Sequence, residues 1–355
     1  MSDREATREL LDDVLSEMLR TGKGGEQTVA LSRQRRQEAG VFSRVSCYWI
    51  FSLFTMKGRP MPVIPMFIYL TYAAAVISVM LYAVGEGTLN DIYNFRPEMK
   101  DVSIIFGFAL FLVLSFRMNN AYQRWYDGAQ RFAEITSLVQ NGVRMDCAIL
   151  PTEQVIDLMW WLFAGLFSAK QQLRGLYGSE NFKLLEKAMP PRLFKGIADR
   201  RDKFHWSMYH YHKIVTRINF FRATEDRGVQ EALRITIPMV AAYGACVRII
   251  ETPFPFGYVS HLRVFLIVWL AILPFAFVVS YGWWSMCLAF VACFGVLGIE
   301  EAATEIEMPF GNDTNDLSLD YMADDAFKLL VEFLLFVGFD EEGNSLEAPS
   351  GDKLC

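Results

Sequence analysis

Histidine is scarce in this chain. Its 355 residues hold four, three of them close together at His205, His210 and His212, the last at His261. A di-metal enzyme would need several more imidazoles or Glu-x-x-His clusters, and positions 210 and 212 of a helix point to different sides, so metal catalysis is not expected. Cysteine is thin as well. Cys47, Cys147, Cys246, Cys287, Cys293 and Cys355 are scattered, with no C-x-x-C pair, which excludes a disulfide framework and favours a reduced setting. There is no G-x-S-x-G, no phosphate-binding Walker loop and no dinucleotide fingerprint, so the chain does not read as an enzyme, and no nucleic-acid partner is expected. Internal repeats and low-complexity tracts are absent too. The opening residues are acidic and helix-prone rather than basic and then apolar, unlike a signal or transit peptide.

Charge is also in short supply, at 21% of residues, while hydrophobic residues make up 53% and aromatics 14%, with a mean hydropathy of +0.21. That apolar surplus exceeds what a soluble core of this length needs, and lipid is where it can go. A helix crosses a bilayer with about 20 apolar residues, since the hydrocarbon is roughly 30 Å thick. Residues 61–84 meet this length. Residues 264–281 and 286–299 read as two further spans joined by a Gly-Trp-Trp-Ser turn, with Trp283 and Trp284 suited to anchor at the membrane surface. A fourth segment, 102–116, reaches only about 22 Å before Arg117 interrupts it. A short apolar helix running into Arg117, Asn119, Asn120 and Arg124 is better shielded by protein than by lipid, which makes it the candidate to line a pore.

Arg and Lys crowd 1–60 and 117–234, whereas the loop 86–100 carries only Arg96 and Lys100. Both termini and the central segment are therefore expected on the cytoplasmic or stromal side. The central apolar patches, 160–166 and 235–247, are bounded by Asp157, Lys170, Arg234 and Arg248 and read as too short to cross. This gives an all-α membrane protein with four transmembrane helices. Its parts are an N-terminal cytoplasmic helical segment at 1–60, the first two spans with a pore neck at 61–116, and a cytoplasmic helical domain at 117–260. The third and fourth spans follow at 261–300, then an acidic segment and helix at 301–335 and a disordered tail at 336–355.

Three runs, FRMNNAYQRWYDG (116–128), RIIETPFPFGYVSHLR (248–263) and GIEEAATEIEMPFGNDTNDLSLD (298–320), resemble hallmark segments of the bestrophin family, including its plant and bacterial branches. The resemblance covers roughly 40 to 335. It implies a homopentamer in which the second membrane helix of each subunit surrounds one central pore, and an anion channel with chloride as the default permeant ion. Aligning Arg117 and Asn120 with the family's Arg and Asn implies neck positions at Asp101, Ile105 and Ala109. A shift of one turn or less brings Phe108 or Leu112 into the lumen instead. Ile105, Phe108, Ala109 and Leu112 are therefore the neck candidates, simple helix packing being the alternative for each.

Arg117 and Arg124, at the inner end of this helix, are candidates to raise local anion concentration, or else to pair with Asp127, Glu134 or lipid phosphate. Glu300, Glu301, Glu305 and Glu307 read as a solvated face or as partners of arginines across subunits. The resemblance also implies a calcium site after Pro309-Phe310-Gly311, where Asp313 and Asp316 would be the ligands. Only two carboxylates stand where calcium-binding relatives have more, so helix capping by Asp313, Asp316 and Asp320 is the competing reading. No cofactor is expected to be required. The partners expected are other copies of the chain, the bilayer and permeant anions, in a plasma, thylakoid or other organelle membrane. A small-anion transporter and a calcium-regulated scaffold are the alternatives, the former lacking the paired repeats that transporters usually show.

Overall fold

A computed structural model describes residues 62–85, 96–149, 152–178, 182–221, 225–313 and 315–338, and all regular structure among them is helical. The expected segment 1–60 and the tail from 339 on lie outside the described residues. The helices, in chain order, are α1 (Val63–Gly85), α2 (Arg96–Ile149), α3 (Thr152–Leu173), α4 (Lys183–Ala188), α5 (Pro191–Phe194), α6 (Lys203–Phe221), α7 (Glu225–Glu251), α8 (Phe256–Tyr281), α9 (Ser285–Ile306) and α10 (Leu319–Gly338). A short 3-10 turn, Gly282–Trp284, links α8 to α9.

The described chain forms two compact units, one of 62–126 with 252–309, the other of 127–251 with 310–338. In the first, α1 carries no charge in its 23 residues and packs against α8 and α9. The central contacts join Tyr69 and Ala73 of α1, Leu110 and Leu114 of α2, Leu262, Leu266 and Leu270 of α8, and Ala289, Cys293 and Val296 of α9. Small residues at 73, 289 and 293 let these helices approach closely, which matters where lipid offers no hydrophobic drive for association. Outward-facing Ile64, Phe67, Ile68 and Val79 on α1 and Val264 and Ile267 on α8 are exposed, as lipid-facing side chains are. Hydroxyls in these segments bond back to the preceding turn: Thr71 Oγ1 donates to the Phe67 carbonyl at 2.9 Å, Ser78 to Ala74 at 2.7 Å and Ser115 to Phe111 at 2.8 Å. Each is thereby satisfied without water. The turn after α8 needs Gly282, whose φ of 52° lies in the left-handed region, and it leaves Trp283 and Trp284 exposed where the sequence placed its interfacial anchors.

In the second unit α3 is apolar nearly all round and accordingly buried, with α6, α7 and α10 packed on it. Phe163 lies 4.3 Å from the Phe327 ring, Trp161 stacks on His210 at 4.5 Å, and Phe204 stacks on Tyr243 at 4.0 Å. Cutting Phe163 to Ala would cost about 3–5 kcal/mol in this core. Two buried tyrosine hydroxyls find partners inside it: that of Tyr211 donates to Asp146 at 3.1 Å and that of Tyr243 to Gln172 at 2.8 Å.

One sequence expectation needs revision. Segment 102–116 is not a short helix but part of the 54-residue α2, about 80 Å long at 1.5 Å per residue, because nothing between Arg117 and Ile149 breaks a helix. Among the described residues five helices are long and apolar enough to cross a membrane by length and composition, one more than the spans read from the sequence. The fifth is the Leu233–Glu251 part of α7, where helix runs through the charges at 234 and 248 that the sequence reading took as limits.

Candidate functional site

On α2, residues 103 to 121 divide cleanly into two faces. Ser103, Gly107, Leu110, Leu114, Arg117 and Ala121 recur at spacings of four and three and form the packed stripe. Gly107 lies flat beneath Trp269, whose indole N–H donates to the Ser103 carbonyl at 2.9 Å, and an added Cβ would stand 3.0 Å from the ring. Ile105, Phe108, Ala109 and Leu112 lie on the opposite side, within an arc of about 100° at 100° per residue. Ile105 is 69% exposed, Phe108 76% and Leu112 50%. Asp101, Phe116, Asn120 and Gln123 continue this lane in both directions. Both alignments considered from the sequence therefore fall on one continuous face, apolar from 102 to 116 and polar at its ends.

Neither arginine faces that lane. Arg117 is fully buried on the packed stripe. Its Nε donates to Glu300 at 2.7 Å, and its Nη2 reaches Thr304 at 3.2 Å and Glu307 at 3.4 Å. Its Nη1 is buried without a hydrogen-bond partner. Glu300 also receives Arg263 of α8 at 2.9 Å, so one carboxylate joins three helices, and the Thr304 hydroxyl accepts from both arginines while donating to the Glu300 carbonyl at 2.9 Å. Arg124 donates to the carbonyls of Thr252 at 2.7 Å and Glu307 at 3.3 Å. Phe254 sits under both guanidinium groups, 5.6 Å from Arg117 and 5.3 Å from Arg124, and its N–H donates to Glu307 at 3.2 Å.

The three sequence runs singled out above thus meet in one network. The expectation that Arg117 and Arg124 offer open charge to an anion does not fit this arrangement. Glu300 and Glu307 are likewise no solvated face: burying Arg117 requires their charge, and they pair within the chain. Sequence reasoning missed Arg263, Thr304 and Phe254. The signal was present in Glu300, Thr304 and Glu307, which recur at spacings of four and three at the end of a largely apolar helix and so call for a cationic partner.

Asp313 and Asp316 lie in the other unit. There one Asp316 oxygen accepts the Asp313 backbone N–H at 2.7 Å and occupies the space a Cβ at Gly311 would need, a turn-fixing role. Among the described residues no three His, Cys, Asp or Glu side chains stand together as a metal would need. Asp320 instead pairs with Lys170 at 2.9 Å and Arg174 at 2.8 Å. Burial alone would raise its carboxyl, but the two cations outweigh that and hold it near 2. One turn on, burial pushes the Asp324 carboxyl up to about 6. The histidines go separate ways: His205 hydrogen-bonds to Asp202 at 2.6 Å, which raises its pKa, His210 stacks on Trp161, and the Nδ1 of His212 is buried without a partner.

The sequence profile of the bacterial and fungal bestrophin proteins matches residues 42–332. A voltage-dependent anion channel-forming protein of Synechocystis, sll1024, is 29% identical over 78% of this chain and 89% of its own. A Nostoc protein of the same description, alr2987, is 31% identical over 61% of this chain and 72% of its own. Among solved structures, a bacterial bestrophin homologue from Klebsiella pneumoniae superposes with a TM-score of 0.65 at 20% identity, covering 77% of this chain and 98% of that one. The relatives are named for channel formation and not for a catalysed reaction. With five helices apolar enough to span a bilayer, this is an integral membrane protein, and the chain belongs to the bacterial/fungal bestrophin family.

Proposed function

We propose that this protein is a passive anion channel in which the exposed lane of α2, from Ile105 through Phe108 and Ala109 to Leu112, lines a single pore at the centre of a homopentamer. The observation that carries this is the lane itself: an apolar face on a helix whose charged residue, Arg117, is turned away into protein. The same face continues below Phe116 as Asn119, Asn120 and Gln123, as a lane passing from an apolar neck into a wider aqueous path would. The anion channel-forming relatives support the same reading.

One subunit's lane cannot enclose a path, and ring symmetry closes it with identical faces. A groove of about 770 Å³ beside the lane, lined by Met66, Asn119, Tyr122, Phe294 and Gly298, is suited to be covered by the neighbouring subunit. In the proposed topology α1, residues 100–116 of α2, α8 and α9 cross the bilayer, while α7, packed on α3 and α6, does not. Both termini then face the cytoplasmic or stromal side.

An apolar neck offers nothing to replace a hydration shell, so it favours weakly hydrated anions such as chloride over strongly hydrated ions. Phe108, with its electropositive ring edge, eases an anion past. The test is chloride efflux from vesicles holding the purified protein, with potassium permeability supplied separately. Efflux above that of empty vesicles, reduced by a bulky reagent attached to Leu112→Cys, is expected. No efflux, or efflux indifferent to that modification, would refute the assignment.

A further inference from the structure

Arg117 is a full positive charge five residues beyond Leu112 on the same helix, yet it is entirely buried and under-satisfied, with Nη1 unpartnered. Burial of a guanidinium is costly unless a carboxylate compensates it. Glu300 is the nearer compensating carboxylate, at 2.7 Å, while Glu307 pairs with Nη2 at 3.4 Å through one oxygen and accepts the Phe254 N–H with the other. Glu300 is itself buried and shared with Arg263, whose side chain is 48% exposed and can turn to water.

We infer that Glu300 is a positioning residue for conduction: it holds the Arg117 charge on the packed side of α2, and without it that charge turns toward the ion path. The inference rests on the reading of the Ile105–Leu112 face as that path. Position 117 lies on the edge of the packed stripe, about 60° around the helix from Asn120 of the lane, an arc that the long arginine stem can span. The uncharged lane is then a consequence of Glu300 and not of the lane residues alone.

Charge-selective thiol labelling tests this. In a background with Cys47, Cys147, Cys287 and Cys355 replaced by Ser, Leu112→Cys is labelled in vesicles with an anionic and a cationic thiosulfonate, and the ratio of the two rates is read. A unit charge roughly 7 to 8 Å away in water changes each rate by about 2.5-fold in opposite directions. Glu300→Gln should therefore raise the anionic-to-cationic ratio about sixfold, and more if several subunits contribute. Adding Arg117→Met should return the ratio to its starting value, which mere loosening of the fold would not do.

An unchanged ratio in Glu300→Gln, or a raised ratio that persists in the double variant, overturns the inference. Should Glu300→Gln not assemble, Glu300→Asp withdraws the carboxylate by one methylene and should shift the ratio in the same direction by less; an unshifted ratio there overturns it equally. If Leu112→Cys reacts with neither reagent even when Glu300 is intact, the pore reading itself falls and takes the inference with it. If it reacts at the same ratio with and without Glu300, only the inference falls.

Discussion

Arg117 of α2 and Glu300 of α9, 183 residues apart in sequence, meet at 2.7 Å in a site where Arg117 has no exposure to solvent. Removing one partner strands the other charge, so Glu300→Ala or Arg117→Ala is expected to cost about 3–5 kcal/mol. Replacing both, as Arg117→Met with Glu300→Leu, should cost less than either single change. Thermal aggregation of the detergent-solubilised protein reads this. A double variant less stable than both singles would contradict it.

The lane makes its own prediction. Trimming Leu112 or Phe108 to Ala widens the path without removing any hydrogen bond, so unitary current should rise and discrimination among halides should weaken. Trimming Leu110 or Leu114, on the packed stripe, should lower thermal stability with little change in halide preference, each leaving a cavity worth about 2–5 kcal/mol. Single-channel recording of the four variants separates the faces, and the same halide effect on both would mean that α2 is rotated from its described orientation.

The Asp320 and Asp324 pair gives the second unit opposite pH responses. Asp320, held near 2 by Lys170 and Arg174, adds stability that is present above its unfolded value of about 3.9 and is lost as pH falls toward 2. Asp324, raised to about 6 by burial despite Lys170, Lys328 and Arg174 nearby, favours the fold only while protonated, so its contribution fades as pH rises from about 4 through 6. Asp324→Asn should therefore raise the melting temperature at pH 8 and change nothing at pH 4. Asp320→Asn should lower it at pH 7, the difference closing near pH 2. Melting curves across pH check both signs.

Calcium should have little hold on the 309–316 turn. Asp316 already caps the Asp313 N–H, and two carboxylates fall short of the six to eight oxygens the ion takes. Chelating calcium to nanomolar levels is expected to leave current unchanged, as is Asp313→Asn. A current lost on chelation and restored by micromolar calcium would establish a calcium gate.

Much of this was legible from the chain. The uncharged stretch that became α1 and the Gly-Trp-Trp turn follow from local pattern, because membrane spans and turns are short-range properties, whereas the neck candidates Ile105, Phe108, Ala109 and Leu112 came from the family resemblance and share one exposed face of α2. What stayed hidden was long-range. Nothing near Arg117 says that its partner lies 183 residues away, so a charge at a helix end read as open when it is enclosed. The charges bounding the patch at 235–247 did not mark the ends of its helix, since α7 carries Arg234 and Arg248 on exposed positions and keeps Ile235, Met239, Ala242 and Cys246 inward. The hydrogen bond by which Asp316 fixes its turn was not legible from the sequence, which offered capping and calcium binding alike.

The most direct measurement of the central claim is the reversal potential of the purified protein in a planar bilayer under a KCl gradient. An anion path along the Ile105–Leu112 lane puts that potential close to the chloride equilibrium value. A potential driven toward potassium, or no current at all, would contradict the assignment.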